Sequence, residues 1–152
     1  YILDVRNKPI VTMINGIKDK FLVRFHQKRE GGKCARWEIA PTYAEKLEMN
    51  KKYARDCKAL IAGQGLFQVT SGDKTYGVDT NIQICGCKKW DITGVPCNHA
   101  CSAIYRSKQL LEDHINVFFK KSMYLEAYKP VIYPVPGPDS WVKTPTPDIE
   151  PP

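Results

Sequence analysis

Apolar residues in the first part of the chain recur at helical steps. Ile10, Ile14, Ile17, Phe21 and Phe25 are three or four residues apart, which places them on one stripe of a helix from about Pro9 to Lys28. Pro9 suits the first turn, where a missing N–H costs little. Gly31 and Gly32 are expected to break the pattern. The stripe predicts either core or a surface that docks onto an upstream part of the protein. A second helix is expected from Thr42, which has capping-box spacing to Glu45. Tyr43, Leu47, Ala54, Cys57 and Ile61 follow on one face, so Cys57 reads as a small apolar core residue. Lys46, Lys51, Lys52, Arg55 and Lys58 surround that face, either solvated or touching phosphate.

The period then changes to two. Leu66–Thr70, Thr75–Asp79 and Ile82–Cys85 are short alternating runs, with Ser71, Gly72 and Asp73 supplying turn chemistry between the first two. They predict a hairpin with a third strand beside it, and that strand delivers Cys85 and Cys87. Gly94 marks a turn, and Pro96 opens a helix that Ala100, Ala103 and Ile104 continue. Short helices are expected near Glu112–Lys120 and Met123–Tyr128, the second ended by Pro130. From Pro130 onward 8 of 23 residues are proline, which predicts extended, weakly packed chain, with Tyr133, Val135 and Trp141 available to pin part of it.

The fold class expected is α+β. It has two amino-terminal helices, then a small antiparallel sheet leading into a metal-stapled strand–turn–helix, then short helices and a Pro-rich tail. The domain organisation expected is a helical region over 1–61, a finger module over 62–108, short helices over 109–129 and the tail over 130–152. No internal repeat is visible.

Charge adds one asymmetry. Of the net +7, all resides in residues 1–58, which hold 14 Lys and Arg against 7 Asp and Glu, while the remainder is formally neutral. A basic amino-terminal part is compatible with a polyanionic partner such as nucleic acid, and equally with solvated helix faces. No run of about 18 apolar residues suggests a membrane span, and no secretory leader is evident. Because the chain starts at Tyr1 in mid-pattern, it is expected to be a piece of a longer protein.

Four of the six cysteines, Cys85, Cys87, Cys97 and Cys101, lie within 17 residues, while Cys34 and Cys57 stand alone. Clustered cysteines beside a histidine, without a leader, favour metal over disulfides. The stretch CGCKKWDITGVPCNHA offers Cys85, Cys87, Cys97 and His99 as two pairs, three sulfurs and one nitrogen, which suits one structural zinc. Residues i and i+2 of a helix point apart, so the second pair belongs at the first turn of its helix, near the positive end of the dipole. Gly86 is expected to let the backbone curl round the ion. Three thiolates with zinc leave one net negative charge, which Lys88 and Lys89 can offset.

The competing chemistries fit less well. A Cys85–Cys87 disulfide closes a strained ring. A Cys97–His99 nucleophile pair lacks an orienting group and an oxyanion site. A catalytic zinc keeps one position open for water, whereas four good ligands close this cage. Cys101, four residues after Cys97, is the one alternative ligand; it is expected to pack behind the site. Little apolar bulk surrounds the motif, mainly Trp90, Ile92, Val95 and Ile104, and metal binding can supply the missing folding free energy. Trp90 is expected in the core over the ligands, with base stacking as the alternative.

The pattern C-x-C, nine residues, C-x-H resembles the SWIM-type zinc finger. The fuller string CGCKKWDITGVPCNHACSAI is similar to the form found in plant Mutator-like (MuDR family) transposases. LDVRNKPIVTMINGIKDKF resembles that family's helical stretch between catalytic domain and finger, and VIYPVPGPDSW resembles the Pro-rich segment that follows. The resemblance implies zinc on Cys85, Cys87, Cys97 and His99. It also implies a nuclear setting, and contact with DNA, with an upstream catalytic domain or with other transposase subunits. The acidic catalytic residues of the family would lie before Tyr1, so no catalytic residue is expected in this chain. Two functions follow. One is a non-enzymatic zinc module that assists DNA binding, with Lys88, Lys89, Arg106 and Lys108 on phosphates. The other is a structural or protein-interaction module, including that of a domesticated transposase acting as a transcription regulator.

Overall fold

In the computed structural model of the chain, residues 8–137 are described, together with Ser140 and Val142. Trp141 and most of the tail beyond Gly137 lie outside the described residues. The chain divides into two compact units, Tyr1–Phe25 with Pro130–Pro152 and His26–Lys129. Among the described residues are five α-helices and a four-stranded antiparallel sheet, the α+β class expected.

Helix α1 covers Ile10–Cys34. Its amino-terminal part, in the first unit, carries the predicted stripe, but no stripe residue is buried, and Ile10, Ile14 and Phe21 are exposed. The stripe therefore does not enter a core among the described residues. In the same unit, 131–137 has no regular structure, and Tyr133 and Val135 are exposed rather than pinned.

In the second unit α1 runs through Gly31 and Gly32, which were expected to end it. Glycine lowers helix stability, and the return is close packing. A Cβ on Gly32 would sit 2.9 Å from Tyr124 and Leu125 of α5 (Lys121–Ala127). Arg29 Nε donates to the Tyr128 carbonyl at 2.9 Å, and Trp37 meets Tyr124 edge-on.

Helix α2 spans Pro41–Tyr53, with Pro41 in its first turn and Ala40 as a cap without a side-chain bond. The capping box predicted for Thr42 and Glu45 does not form, because the N-cap lies two residues earlier, at Ala40. Nor does α2 continue to Ile61. A 3-10 turn, Ala54–Asp56, ends it, and strand β1 covers Cys57–Gly63. Cys57 is buried as expected, but on a strand.

β1 pairs with β2 (Leu66–Ser71), β2 with β3 (Lys74–Asp79), and β3 with the short β4 (Ile84–Cys85), all antiparallel and in sequence order. The β2–β3 hairpin turns at Gly72 as predicted, while the β1–β2 hairpin was not foreseen. In register, Ala59, Val69 and Tyr76 lie opposite one another, as do Phe67, Val78 and Cys85. These side chains point to one face, and Val69, Phe67, Val78 and Cys85 are buried there.

Helix α4 (Asn98–Arg106) lies on that face and contacts all four strands, and α2 packs on α4. Ala100, Ala103 and Ile104 are fully buried. The short helix α3 (Lys89–Thr93) lies where only a turn at Gly94 was expected; it buries Trp90 and ends at Gly94 in the left-handed region, φ +67°. The segment read as a helix over 112–120 consists of two 3-10 turns, Leu111–His114 and Val117–Phe119. Asn116 interrupts it: its N–H donates to the Gly94 carbonyl, and its side chain accepts from the Phe118 N–H.

Gly94 and Gly31 test these assignments in opposite directions. A Cβ on Gly94 would lie 2.8 Å from Asn116 and 2.9 Å from Phe119, at a positive φ. Gly94→Ala should cost about 1–2 kcal/mol or more in urea unfolding of zinc-loaded protein. Gly31 is helical with open space around it, so Gly31→Ala should be neutral or stabilise by up to about 1 kcal/mol.

Candidate metal centre

Cys85 ends β4, and the chain then turns sharply, with the Lys88 N–H donating to the Cys85 carbonyl at 2.8 Å. The residue that makes the turn is Lys88, in the left-handed region at φ +63°, rather than Gly86 as expected. Gly86 instead donates its N–H to the Gly77 carbonyl and extends the sheet edge. Cys87 lies inside this turn. Cys97 is the N-cap of α4, its sulfur accepting from the Ala100 N–H, and His99 stands in the first turn. The second pair thus sits where the one-residue spacing required.

The four side chains converge. One donor atom from each of Cys85, Cys87, Cys97 and His99 lies within 4.8 Å of every other. Cys87 and Cys97 Sγ are 3.5 Å apart, and His99 Nδ1 is 3.8 Å from Cys85 Sγ and 3.9 Å from Cys97 Sγ. Zinc with sulfur at about 2.3 Å and nitrogen at about 2.0 Å places donors roughly 3.5–3.8 Å apart at tetrahedral corners. The donor set and the spacing fit the ion. None of the six cysteines forms a disulfide. Cys101 is outside the cluster; its thiol is fully buried and donates to the Pro96 carbonyl at 3.5 Å. It packs behind the site.

Electrostatics explains why a cation belongs there. The hydrogen bond with Cys85 and burial push the Cys97 thiol far up, and burial pushes the Cys87 thiol up. Burial, with the Cys97 sulfur nearby, takes Cys101 to about 12. Burial and the Lys89 charge hold His99 down, so its imidazole is neutral and able to ligate. Crowded thiols resist ionisation on their own, and a divalent cation reverses that preference.

Several supporting residues gave no clear sequence signal. Asp91 Oδ1 accepts the Cys85 N–H at 2.9 Å, and Lys88 bridges its other oxygen at 3.3 Å. The backbone hydrogen bond from Cys85, with help from Lys88, holds the Asp91 carboxyl below its usual range. The Tyr76 ring stacks on His99, centroids 4.1 Å apart. Asn50 donates to the Pro96 carbonyl at 2.9 Å, Asn98 to Cys57 Sγ, and Ser102 to the Cys57 carbonyl. Alternation along β3 could have pointed to Tyr76. Asp91 could be found only once α3 was known.

Trp90 is 1% exposed, which removes the base-stacking alternative. Ile92, counted among the local apolar bulk, is 82% exposed and adds nothing to the core. The four cations proposed to touch phosphate are all exposed. They do not form one group on α4, since Lys88 and Lys89 follow Cys87, whereas Arg106 is about 10 Å of helix rise beyond His99. Lys88 is engaged by Asp91; Lys89, Arg106 and Lys108 have no carboxylate partner among the described residues.

Residues 68–108 match the model of the SWIM zinc finger family, a stretch from β2 to just beyond α4 that includes all four donors. No curated protein and no solved structure matches the chain. Donor geometry and family match together support a SWIM-type zinc-binding module.

The chain should carry one zinc, lost in Cys97→Ala and kept in Cys101→Ala, by metal analysis of purified protein. Uptake should release close to three protons, one per thiol, by calorimetry in buffers of different ionisation enthalpy. Asp91→Ala should weaken zinc binding about 10–100-fold in chelator competition, with Asp91→Asn closer to wild type because it can still accept the Cys85 N–H.

Proposed function

We propose that this chain is the carboxy-terminal zinc module of a Mutator-like transposase and assists DNA binding in the nucleus, without catalysing a reaction itself. The observation that carries the reading is the set of exposed cations without a carboxylate partner among the described residues, Lys89, Arg106 and Lys108, on a finger whose donors converge inward. The basic balance of residues 1–58 and the resemblance of the finger and its flanks support it. In this reading zinc holds the fold, and the protein touches DNA through backbone phosphates.

A second reading is favoured by a different observation. The exposed apolar residues of α1, Ile10, Ile14 and Phe21, suit contact with another protein surface, such as a catalytic domain or a further subunit. The same module in a domesticated transposase would then serve regulation.

Contact with about four phosphates should weaken duplex affinity roughly a hundredfold between about 50 and 200 mM salt. Fluorescence anisotropy on the zinc-loaded chain tests this. Absence of binding at low salt, or affinity indifferent to salt, would remove the DNA reading. Light scattering that shows a monomer would count against pairing of two copies through α1.

A further inference from the structure

The cations at the end of α2 divide into two kinds. Lys51 is committed: its ammonium bridges Glu48 at 2.6 Å and Glu112 at 2.8 Å, tying α2 to the turn Leu111–His114. Partial burial pulls the Lys51 pKa down, but the hydrogen bonds with Glu112 and Glu48 outweigh it and hold the pKa above the ordinary lysine value. Lys52 and Arg55 are uncommitted. Both are exposed, and neither has a carboxylate partner among the described residues.

These residues open onto a cleft of about 490 Å³ between α2 and α4. Glu48, Lys51, Lys52 and Arg55 line it from one side, and Ser102 and Tyr105 from α4, with Ala54 also in the wall. The Ser102 hydroxyl gives its hydrogen to Cys57, so it brings no donor to the cleft. The Tyr105 hydroxyl has no partner among the described residues, and its side chain is half exposed. Glu48 is offset by its bond to Lys51.

We propose that this cleft seats one phosphate of a nucleic acid strand, with Lys52 and Arg55 neutralising it and Tyr105 lying against the adjacent sugar or base. A guanidinium fork matches phosphate oxygens, and an exposed aromatic ring offers a stacking face that a simple anion site does not need. Basic side chains also suit the negative end of a helix. Lys51 and Lys52 fill that role on α2, but Arg55 stands beyond the helix, in the turn that follows. The proposal rests on the DNA reading above and moves its main contact from Lys89, Arg106 and Lys108 to the carboxy-terminal end of α2 and the turn after it.

The test uses the full zinc-loaded chain and a short labelled duplex. The double variant Lys52→Ala/Arg55→Ala should bind about tenfold more weakly at low salt and show a salt slope shallower by about one. Tyr105→Leu should weaken binding of the same strand presented unpaired several-fold with the slope unchanged, because stacking on a base is not electrostatic. Zinc content and unfolding midpoint confirm that each variant is folded. If the wild type binds duplex and the folded double variant matches it in affinity and slope, the cleft assignment falls while the DNA reading stands. If the wild type binds no duplex, the DNA reading falls and the cleft with it. A double variant that loses inorganic phosphate binding but keeps wild-type duplex affinity and slope would assign the cleft to the free ion and overturn the strand proposal.

Discussion

Three thiols and an imidazole meet at one point inside the second unit, and the Cys87 and Cys97 thiols ionise there only in the company of a cation. Burial and mutual crowding hold the thiols of Cys87 and Cys97 in their protonated forms, so the cluster has no reason to persist as thiolates without metal. The cation turns that penalty into directional bonds. Those bonds join the turn after β4 to the first turn of α4 and so close the segment 88–96 against the sheet. Within that segment Trp90 and Val95 are buried, while Ile92 is left in solvent.

The cage in turn depends on contacts that aim its ligands. Asp91 fixes the backbone of Cys85, Tyr76 faces the His99 ring, and Asn50 holds the carbonyl of Pro96 just before Cys97. Each comes from a different element, α3, β3 and α2. The site is thus a meeting point of the sheet and three helices rather than a local loop motif. Cys57 has a related part. It binds no metal, but its sulfur and carbonyl receive Asn98 and Ser102, which anchors α4 to the edge strand β1.

The site was legible because its spacing has one physical solution: a one-residue gap cannot place two ligands on one helix face, so a turn and a helix start must supply them. The hairpin at Gly72 was legible through alternation and turn residues. β1 was not, because Ala54, Cys57 and Ile61 fit helical steps while Cys57, Ala59 and Ile61 fit a strand, and a short apolar run is ambiguous by period alone. The Gly63–Gln64–Gly65 turn, all three at positive φ, was the signal that could have decided it. α1 outran its expected end for a tertiary reason: Gly32 is where Tyr124 and Leu125 come close. Asp91 and Tyr76 escaped because their value lies in partners distant in the chain.

A cage whose donors all face inward leaves no ligand atom for chemistry on a partner, so recognition must come from residues that the fold does not consume. The tethered cations show the distinction. Lys51 and Lys88 have carboxylates to hold them, and their charges are largely spent on α2 and on the turn after β4. Lys52, Arg55, Lys89, Arg106 and Lys108 have none among the described residues. Exposed ion pairs add little to stability, so the fold loses little by leaving these cations without carboxylates.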